Sequence, residues 1–404
     1  MKKKLLFIIN TMGRAGAETA LVNLLKKLDS MDLYDLYLYT IIPCGELFDS
    51  VPSNVHILNK NTNKGSVLSF SGRIFIAGRV LYSFFYKLTG LRLLKYMMKN
   101  ILEQKASGRK LQYDKLFWRV LAEGQPDSKG KFDLAVAYIE GGAVYYLAKK
   151  VDALHKAAFI HIDYRQAGYT PLMDQNCYDD MEKIFVVSNE VGEKFLEVYP
   201  QYKDRVTLFR NLLDKDGILQ KAKTGAGFTD EFNGIRLVTV GRLHYQKGYD
   251  IAIEALARLR DDGYNVRWYV LGEGMERSNL EALIKRHGVA EHFILMGAVD
   301  NPYPYIDQGD IYVHATRFEG KSIAVEEAQI LGKVIVASNC TGNREQIQSG
   351  FDGILFTLNV ENLVDELKGI INNPELQKKY SKNVLKKKME FPEDLESMLK
   401  ILER

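Results

Sequence analysis

The run Arg317-Phe318-Glu319-Gly320-Lys321-Ser322-Ile323-Ala324-Val325-Glu326-Glu327-Ala328 decides how the chain folds and binds. Gly320 suits a tight turn, Ser322 is placed as an N-cap, and Ile323 to Leu331 continue as a helix. The backbone N–H groups of Ser322, Ile323 and Ala324 then face outward at the positive helix end, which suits a phosphate. Glu319 stands just before that end and Glu327 inside the helix, so hydroxyl-rich groups on either side of an anion find carboxylates. A nucleotide-diphosphate sugar has that form. Taken alone, two carboxylates at this spacing equally describe a solvated helix face.

A second segment weights the first. Val238-Thr239-Val240-Gly241-Arg242-Leu243-His244-Tyr245-Gln246-Lys247-Gly248-Tyr249-Asp250 reads as a strand ending at Gly241, a loop flanked by Arg242 and Lys247, and a helix from Tyr249. Strand, glycine turn and cations before a helix make an anion site at the carboxyl edge of a sheet. Arg242 offers a planar fork to phosphate oxygens and Lys247 a mobile point charge. Gly320-Lys321-Ser322 imitates the end of a Walker A loop, but Ala315 stands where that motif needs its first glycine.

Gly241-Arg242-x4-Lys247-Gly248 and Glu319-Gly320-x6-Glu327-Ala328 resemble the two donor motifs of the GT-B retaining glycosyltransferases, glycosyltransferase family 4. Leu271-Gly272-Glu273-Gly274, Phe293 to Gly297 and Gly342-Asn343-Arg344-Glu345 agree with it. The resemblance is dense from about Ile235 to Phe356. It is looser at Gly13-Arg14-Ala15-Gly16-Ala17-Glu18 and at Phe159-Ile160-His161-Ile162-Asp163-Tyr164, and weak from about Lys60 to Lys131. It implies an α/β GT-B fold, two facing Rossmann-like domains with a cleft between them. The first would span 1–212 as acceptor domain and the second 213–390 as nucleotide-sugar donor domain. A final helix in 391–404 would cross back to the first.

By the same resemblance, Arg242, Lys247, Glu319 and His161 are the catalytic set. Glu327 holds the ribose hydroxyls, Glu319 the donor sugar, and His161 contacts the sugar or the reacting phosphate. Gly241, Gly320, Ser322, Ile323, Ala324, Met296, Gly297 and Gly16 complete the donor site, with base choice between UDP and GDP set near Met296 and Gly297. The fixed cations stand where a metal would otherwise act, so no metal and no cofactor beyond the nucleotide sugar is expected. Asp261-Asp262 reads as surface. Retention by same-face displacement is also implied. Lys321-Ser322 departs from the family's aromatic-proline pair, and an extra cation beside the diphosphate is the simplest reading.

Length and composition agree with this. The 404 residues suit two domains, and 46% hydrophobic with 26% charged residues describes a globular chain. Cys44, Cys177 and Cys340 are three and far apart, which implies no disulfide framework and a reducing cytoplasm. Met1-Lys2-Lys3-Lys4 precedes only about five apolar residues, so Leu5–Ile9 is expected as a buried strand rather than a signal segment. Strands are further expected at Leu36–Ile42, Val55–Leu58, Leu134–Tyr138, Ala157–Ile162 and Ile184–Val187. After a connection near 211–233 they resume at Ile235–Val240, Trp268–Leu271, Phe293–Leu295, Ile311–Val313 and Val334–Ala337. Helices alternate with them, as in parallel sheets covered on both faces.

The segment 60–119 stands apart. It holds thirteen Lys and Arg against Glu103 and Asp114, a net +11 within a chain of +4. Ile74, Phe75, Leu81, Tyr82, Phe84, Phe85, Leu91, Leu94 and Met98 are interleaved with those charges. Cations among aromatic and aliphatic residues describe a helix pair lying on an anionic bilayer. Ordinary core packing is a close second reading. Nucleic acid comes last, since no nucleic-acid motif accompanies the charges.

Together these features point to a cytoplasmic enzyme, peripheral at the inner face of the plasma membrane. It is expected to move a hexose from a nucleotide sugar to a lipid-linked or cell-surface glycan of capsule, O-antigen or exopolysaccharide type. A GT-B epimerase or phosphorylase, and a non-catalytic sugar-nucleotide-binding subunit, remain the alternatives.

Overall fold

The structure, a computed structural model, describes residues 2–59, 62–66, 70–85, 89–107, 113–164 and 167–403. It divides into two compact units, Met1–Leu212 with Phe391–Arg404, and Leu213–Glu390.

The first unit is built on β1 (Lys3–Ile9), β2 (Tyr34–Thr40), β3 (His56–Ile57), β4 (Lys131–Ala137), β5 (Asp152–Ile160), β6 (Lys183–Val186) and β7 (Val206–Leu208). They form one sheet in the order β3-β2-β1-β4-β5-β6-β7, every neighbouring pair parallel. Leu5 to Ile9 are buried without a break, as a central parallel strand covered on both faces must be. The helix Gly16–Met31 turns Ala20, Leu21, Leu24, Leu25 and Leu28 onto one buried face at three-to-four spacing. The C-terminal helix Pro392–Leu399 belongs to this unit. Asp394 accepts from the Arg210 backbone N–H at 2.8 Å and from its guanidinium at 3.0 and 3.1 Å, while that guanidinium lies 4.0 Å over the Phe391 ring.

The second unit has β8 (Ile235–Val240), β9 (Val266–Leu271), β10 (Phe293–Gly297), β11 (Ile311–His314), β12 (Val334–Ser338) and β13 (Ile354–Phe356), in the order β10-β9-β8-β11-β12-β13 and again all parallel. Two apolar clusters cover the faces of this sheet. One gathers Leu256, Trp268 and Leu367, the other Tyr312, Val325 and Ala328.

Several expectations shift. β2 starts at Tyr34 and ends at Thr40, two residues before the expected Ile42, because the chain turns there into a loop where Ile41 and Ile42 donate to the carbonyls of Ile9 and Asn10. The stretch expected as a connection, 211–233, contains the helix Lys215–Thr224, capped by Asp214, whose carboxylate accepts the Gly217 N–H at 2.9 Å. Strands β7 and β13 have three residues each, too short to stand out as apolar runs.

Helices Phe70–Phe85, Thr89–Ser107 and Tyr113–Glu123 occupy the basic segment. A buried ion pair anchors the last two. Arg119 Nε lies 2.9 Å from Glu123 Oε1, Tyr96 donates to the same carboxylate at 2.7 Å, and Arg92 approaches it at 3.0 Å. Burial alone would raise the Glu123 carboxyl, but Tyr96 and these cations hold it at about 2. The outer surface of the helices is different. Of the eighteen large apolar side chains exposed among the described residues, eleven lie between Ile74 and Phe117, among them Phe85 at 70% and Met98 at 68% exposure. Lys60, Tyr86, Lys87, Arg109 and Lys110 lie outside the described residues.

Candidate active site

Two loops carry the second unit's motifs, one after β8 and one after β11, strands that are neighbours in the sheet. Adjacency brings the loops together and backbone contacts fix them. Gly248, at φ +63°, passes so close to Ala315 that an added Cβ would lie 2.1 Å from its carbonyl oxygen. Only glycine serves there, for both space and backbone angle. Arg317 N–H donates to the Gln246 carbonyl at 2.7 Å, and Gln246 Nε2 returns a bond of 2.7 Å to the Phe318 carbonyl. The Arg317 guanidinium grips Asp250 through two bonds, 2.9 and 2.6 Å, and stacks 3.9 Å from the Tyr245 ring.

This stitching places the Lys247 ammonium on the Glu319 carboxylate, 72 residues apart in sequence. His314 Nε2 is 3.5 Å from the same carboxylate oxygen. Burial alone would raise the Glu319 carboxyl, but the Lys247 charge and His314 outweigh it and hold it at about 2. Burial and Lys247 together push the His314 imidazole below its usual range, so it is neutral at pH 7. Arg242, exposed at the mouth of the β8 loop, makes no ion pair among the described residues.

Gly241, Gly272 and Gly297 close the same sheet edge. Gly241 N–H donates to Leu271 O at 3.0 Å, and Gly272 N–H to Gly297 O at 2.8 Å. A Cβ on Gly272, where φ is +156°, would meet the Gly241 carbonyl at 2.0 Å. The register between β10 and β9 slips between Leu295 and Gly297, so Met296 sits at a bulge beside these glycines.

The helix start differs from expectation. Ser322 occupies the N-cap position, yet its side chain makes no capping bond. The Gln346 side-chain amide holds it instead, Oε1 accepting the Ser322 N–H at 2.8 Å and Nε2 donating to the Ser322 carbonyl at 2.8 Å. That N–H is therefore engaged, and the first-turn N–H groups of the helix Ile323–Ile330, those of Ile323 and Ala324 among them, have no intrahelical partner. Gly320 is buried and packed under Gly342, where a Cβ would meet the Gly320 carbonyl at 2.3 Å. Lys321, expected as an extra cation beside a diphosphate, already has a partner in the fold. Its ammonium pairs with Glu326 at 2.6 Å, and the side chain is largely buried. A cation five residues before a carboxylate at a helix start folds onto it when both lose water.

Glu327 is buried on the same helix, and Tyr303 donates to its Oε1 at 2.9 Å. Burial raises its carboxyl to about 7 against the pull of the Tyr303 bond. Sequence reasoning missed Tyr303 and Gln346. Their partners lie 24 residues away, and no local pattern marks either.

In the first unit, His161 follows β5 at the carboxyl edge of the sheet. Its backbone N–H donates to Glu140 Oε2 at 3.0 Å and its ring packs 5.2 Å from that of Tyr138. Burial lowers its pKa to about 4, the Tyr138 backbone only partly opposing, so the ring is neutral at pH 7; Nε2 has no hydrogen-bond partner among the described residues. Gly16 opens the first helix and is exposed. Among the described residues no three His, Cys, Asp or Glu side chains gather as a metal site requires, and no helix is long and apolar enough to cross a membrane.

Residues 231–387 match the family described as Glycosyl transferases group 1. That match lies inside the second unit. Both paired motifs fall inside it. Over 172 residues the chain is 32% identical to the N-acetylgalactosamine-N,N'-diacetylbacillosaminyl-diphospho-undecaprenol 4-alpha-N-acetylgalactosaminyltransferase of Campylobacter jejuni, covering 42% of this chain and 45% of that protein. Over 185 residues it is 28% identical to the O-antigen biosynthesis glycosyltransferase WclY of Escherichia coli, covering 45% and 49%. The chain thus spans less than half the length of both relatives. Anabaena HepE, solved with UDP-glucose, superposes with a TM-score of 0.65 over 95% of this chain and 93% of that one, at 16% identity. Two parallel α/β sheets in the manner of GT-B glycosyltransferase structures are the fold of this chain.

Proposed function

We propose that the chain is a retaining, metal-independent glycosyltransferase of family 4 that moves a hexose from a nucleotide-diphosphate sugar to a lipid-linked glycan. The observation that carries this reading is the pairing of Lys247 with Glu319 at the edge of the group 1 domain, beside Arg242 and the helix start at Ile323. Departure of the nucleoside diphosphate puts charge on its β-phosphate. Arg242, Lys247 and the N–H groups of Ile323 and Ala324 stabilise that charge as it develops, which is the task a metal performs elsewhere. Glu319, fixed by Lys247, orients the sugar, and Glu327 takes the ribose hydroxyls. Gly241 and Gly320 let backbone approach the diphosphate, and the bulge at Met296 and Gly297 meets the base. The leaving phosphate assists attack on the face it departs from, so the anomeric configuration is kept.

The acceptor reading draws support from the Campylobacter relative, whose name describes a diphospho-undecaprenol-linked saccharide, and from WclY, named for O-antigen biosynthesis. The exposed apolar side chains among the cations of 60–119 support contact with an anionic membrane surface, where such an acceptor resides.

Calorimetry with UDP, GDP, ADP and their common sugars, in EDTA, tests the donor site. One nucleotide binds saturably, and Arg242→Ala loses that binding. If none binds the wild-type chain, a non-catalytic role replaces this one.

A further inference from the structure

Tyr303 lies at the start of the short helix Tyr303–Gln308 and reaches Glu327 from outside both motifs. We infer that Tyr303 is a positioning residue for the nucleotide. Its hydroxyl holds one oxygen of Glu327 and leaves the other to accept the vicinal hydroxyls of a ribose. This rests on the donor-site reading above and adds to it the residue that sets the carboxylate's orientation.

The geometry supplies the argument. Glu327 is buried on its helix, and a carboxylate on a flexible stem binds a diol well only when its plane is fixed. Tyr303 is itself fixed at both ends. Asn301 Oδ1 accepts its backbone N–H at 3.3 Å, while Asn301 Nδ2 donates to the Lys221 carbonyl at 2.9 Å, tying this helix start to the helix Lys215–Thr224. The ring packs against the apolar cluster of Ile218, Tyr312 and Ala328. A tyrosine held so can deliver its hydroxyl to one place only.

The surroundings give the role a signature. The charged and titratable groups facing this carboxylate are Glu326 on its own helix, Lys221 from the helix Lys215–Thr224, Tyr303, and Tyr312 from β11, while Asp214 at the cap of that helix acts on Tyr303. Burial raises Glu327 to about 7, the Tyr303 bond and Lys221 oppose the rise, and Glu326 adds to it. Ribose hydroxyls donate to the ionised carboxylate, so nucleotide affinity climbs as pH rises through about 7. Removing the Tyr303 hydroxyl removes a bond that favours the ionised form. The climb then moves to higher pH, and the loss of affinity is greater at pH 6 than at pH 8.5.

The experiment is calorimetric titration of UDP and GDP into wild type, Tyr303→Phe, Glu327→Gln and the double variant from pH 6 to 9, with circular dichroism confirming the fold of each. Tyr303→Phe is expected to weaken binding about fivefold at pH 7 and to move the climb upward. In the Glu327→Gln background the same change adds nothing. An unmoved climb, or an equal loss in the Glu327→Gln background, assigns Tyr303 to packing alone and overturns the proposal. Should Tyr303→Phe not fold, Asn301→Ala, which releases the same helix start, must move the climb; if it does not, the proposal fails. Binding of neither nucleotide to the wild-type chain removes the donor-site reading and this one with it, whereas wild-type binding with unmoved variants removes this one alone.

Discussion

In the loops after β8 and β11, charges meet partners at short range: Lys247 with Glu319, Arg317 with Asp250, Lys321 with Glu326. In the helices Phe70–Phe85 and Thr89–Ser107, cations share an open surface with Phe85, Leu94 and Met98. The first region is fixed by contacts that leave little choice of residue, among them glycines where any Cβ would strike backbone. The second is fixed on its inner side, where Glu123 meets Arg92 and Tyr96 and Gln125 meets Arg79 and Ser83, and its outer face is set by the character of its side chains rather than their identity. A motif is readable where geometry leaves one solution. A surface is readable only as composition.

Lys247→Ala should separate the two regions most sharply. Transfer should fall roughly 100- to 1,000-fold, the range for losing one preorganised group at a developing charge. Stability should change with it. The Glu319 carboxyl lies below its ordinary 4.5, so its contribution is complete above that pH and is lost as pH falls toward about 2. Without Lys247 the variant is less stable at pH 7 and gives up less between those two values. Urea unfolding across pH 7 to 3 reads this directly, and unchanged curves would erase the contrast.

Next in size is a pair of glycine substitutions. Gly248→Ala places a methyl on the Ala315 carbonyl at positive φ and should cost about 3 kcal/mol, lowering the melting temperature of the second unit by roughly 8 °C. Gly78→Ala, on the exposed face of the helix Phe70–Phe85 with nothing within 4 Å of the new methyl, should instead stabilise by about 0.5 kcal/mol. Calorimetric scans of both variants decide the matter, and equal effects would mean the basic helices are packed as tightly as the loops.

The smallest expected effect concerns the open surface. Leu94→Ser with Met98→Ser should weaken binding to vesicles containing anionic lipid about tenfold while leaving nucleotide affinity unchanged. Vesicle flotation at two salt concentrations measures it. Binding that persists in the double variant would assign those side chains no part in membrane contact.

Much of the second unit was legible in sequence. Ile235–Val240 has the bounds its sequence predicts because an apolar run ends at a glycine, and the two motifs name the loops that meet. What lay hidden depends on long-range contact. Lys215–Thr224 is a mostly polar helix without a clear apolar stripe, so its region looked like a connection. Tyr303 and Gln346 act on Glu327 and Ser322 through bonds no local pattern encodes. The pairing of Lys321 with Glu326 is hidden for a related reason, since it depends on the burial of both side chains.

The Gln346 clamp also bears on how such a chain can change. By gripping both backbone groups of Ser322 with one amide, it relieves that position's side chain of the work of starting the helix. The scaffold is thereby insulated from what residue 322 happens to be. The turn at the head of this helix becomes an exchangeable fitting on a permanent mount, a place where ligand preference can drift while the architecture around it stands still.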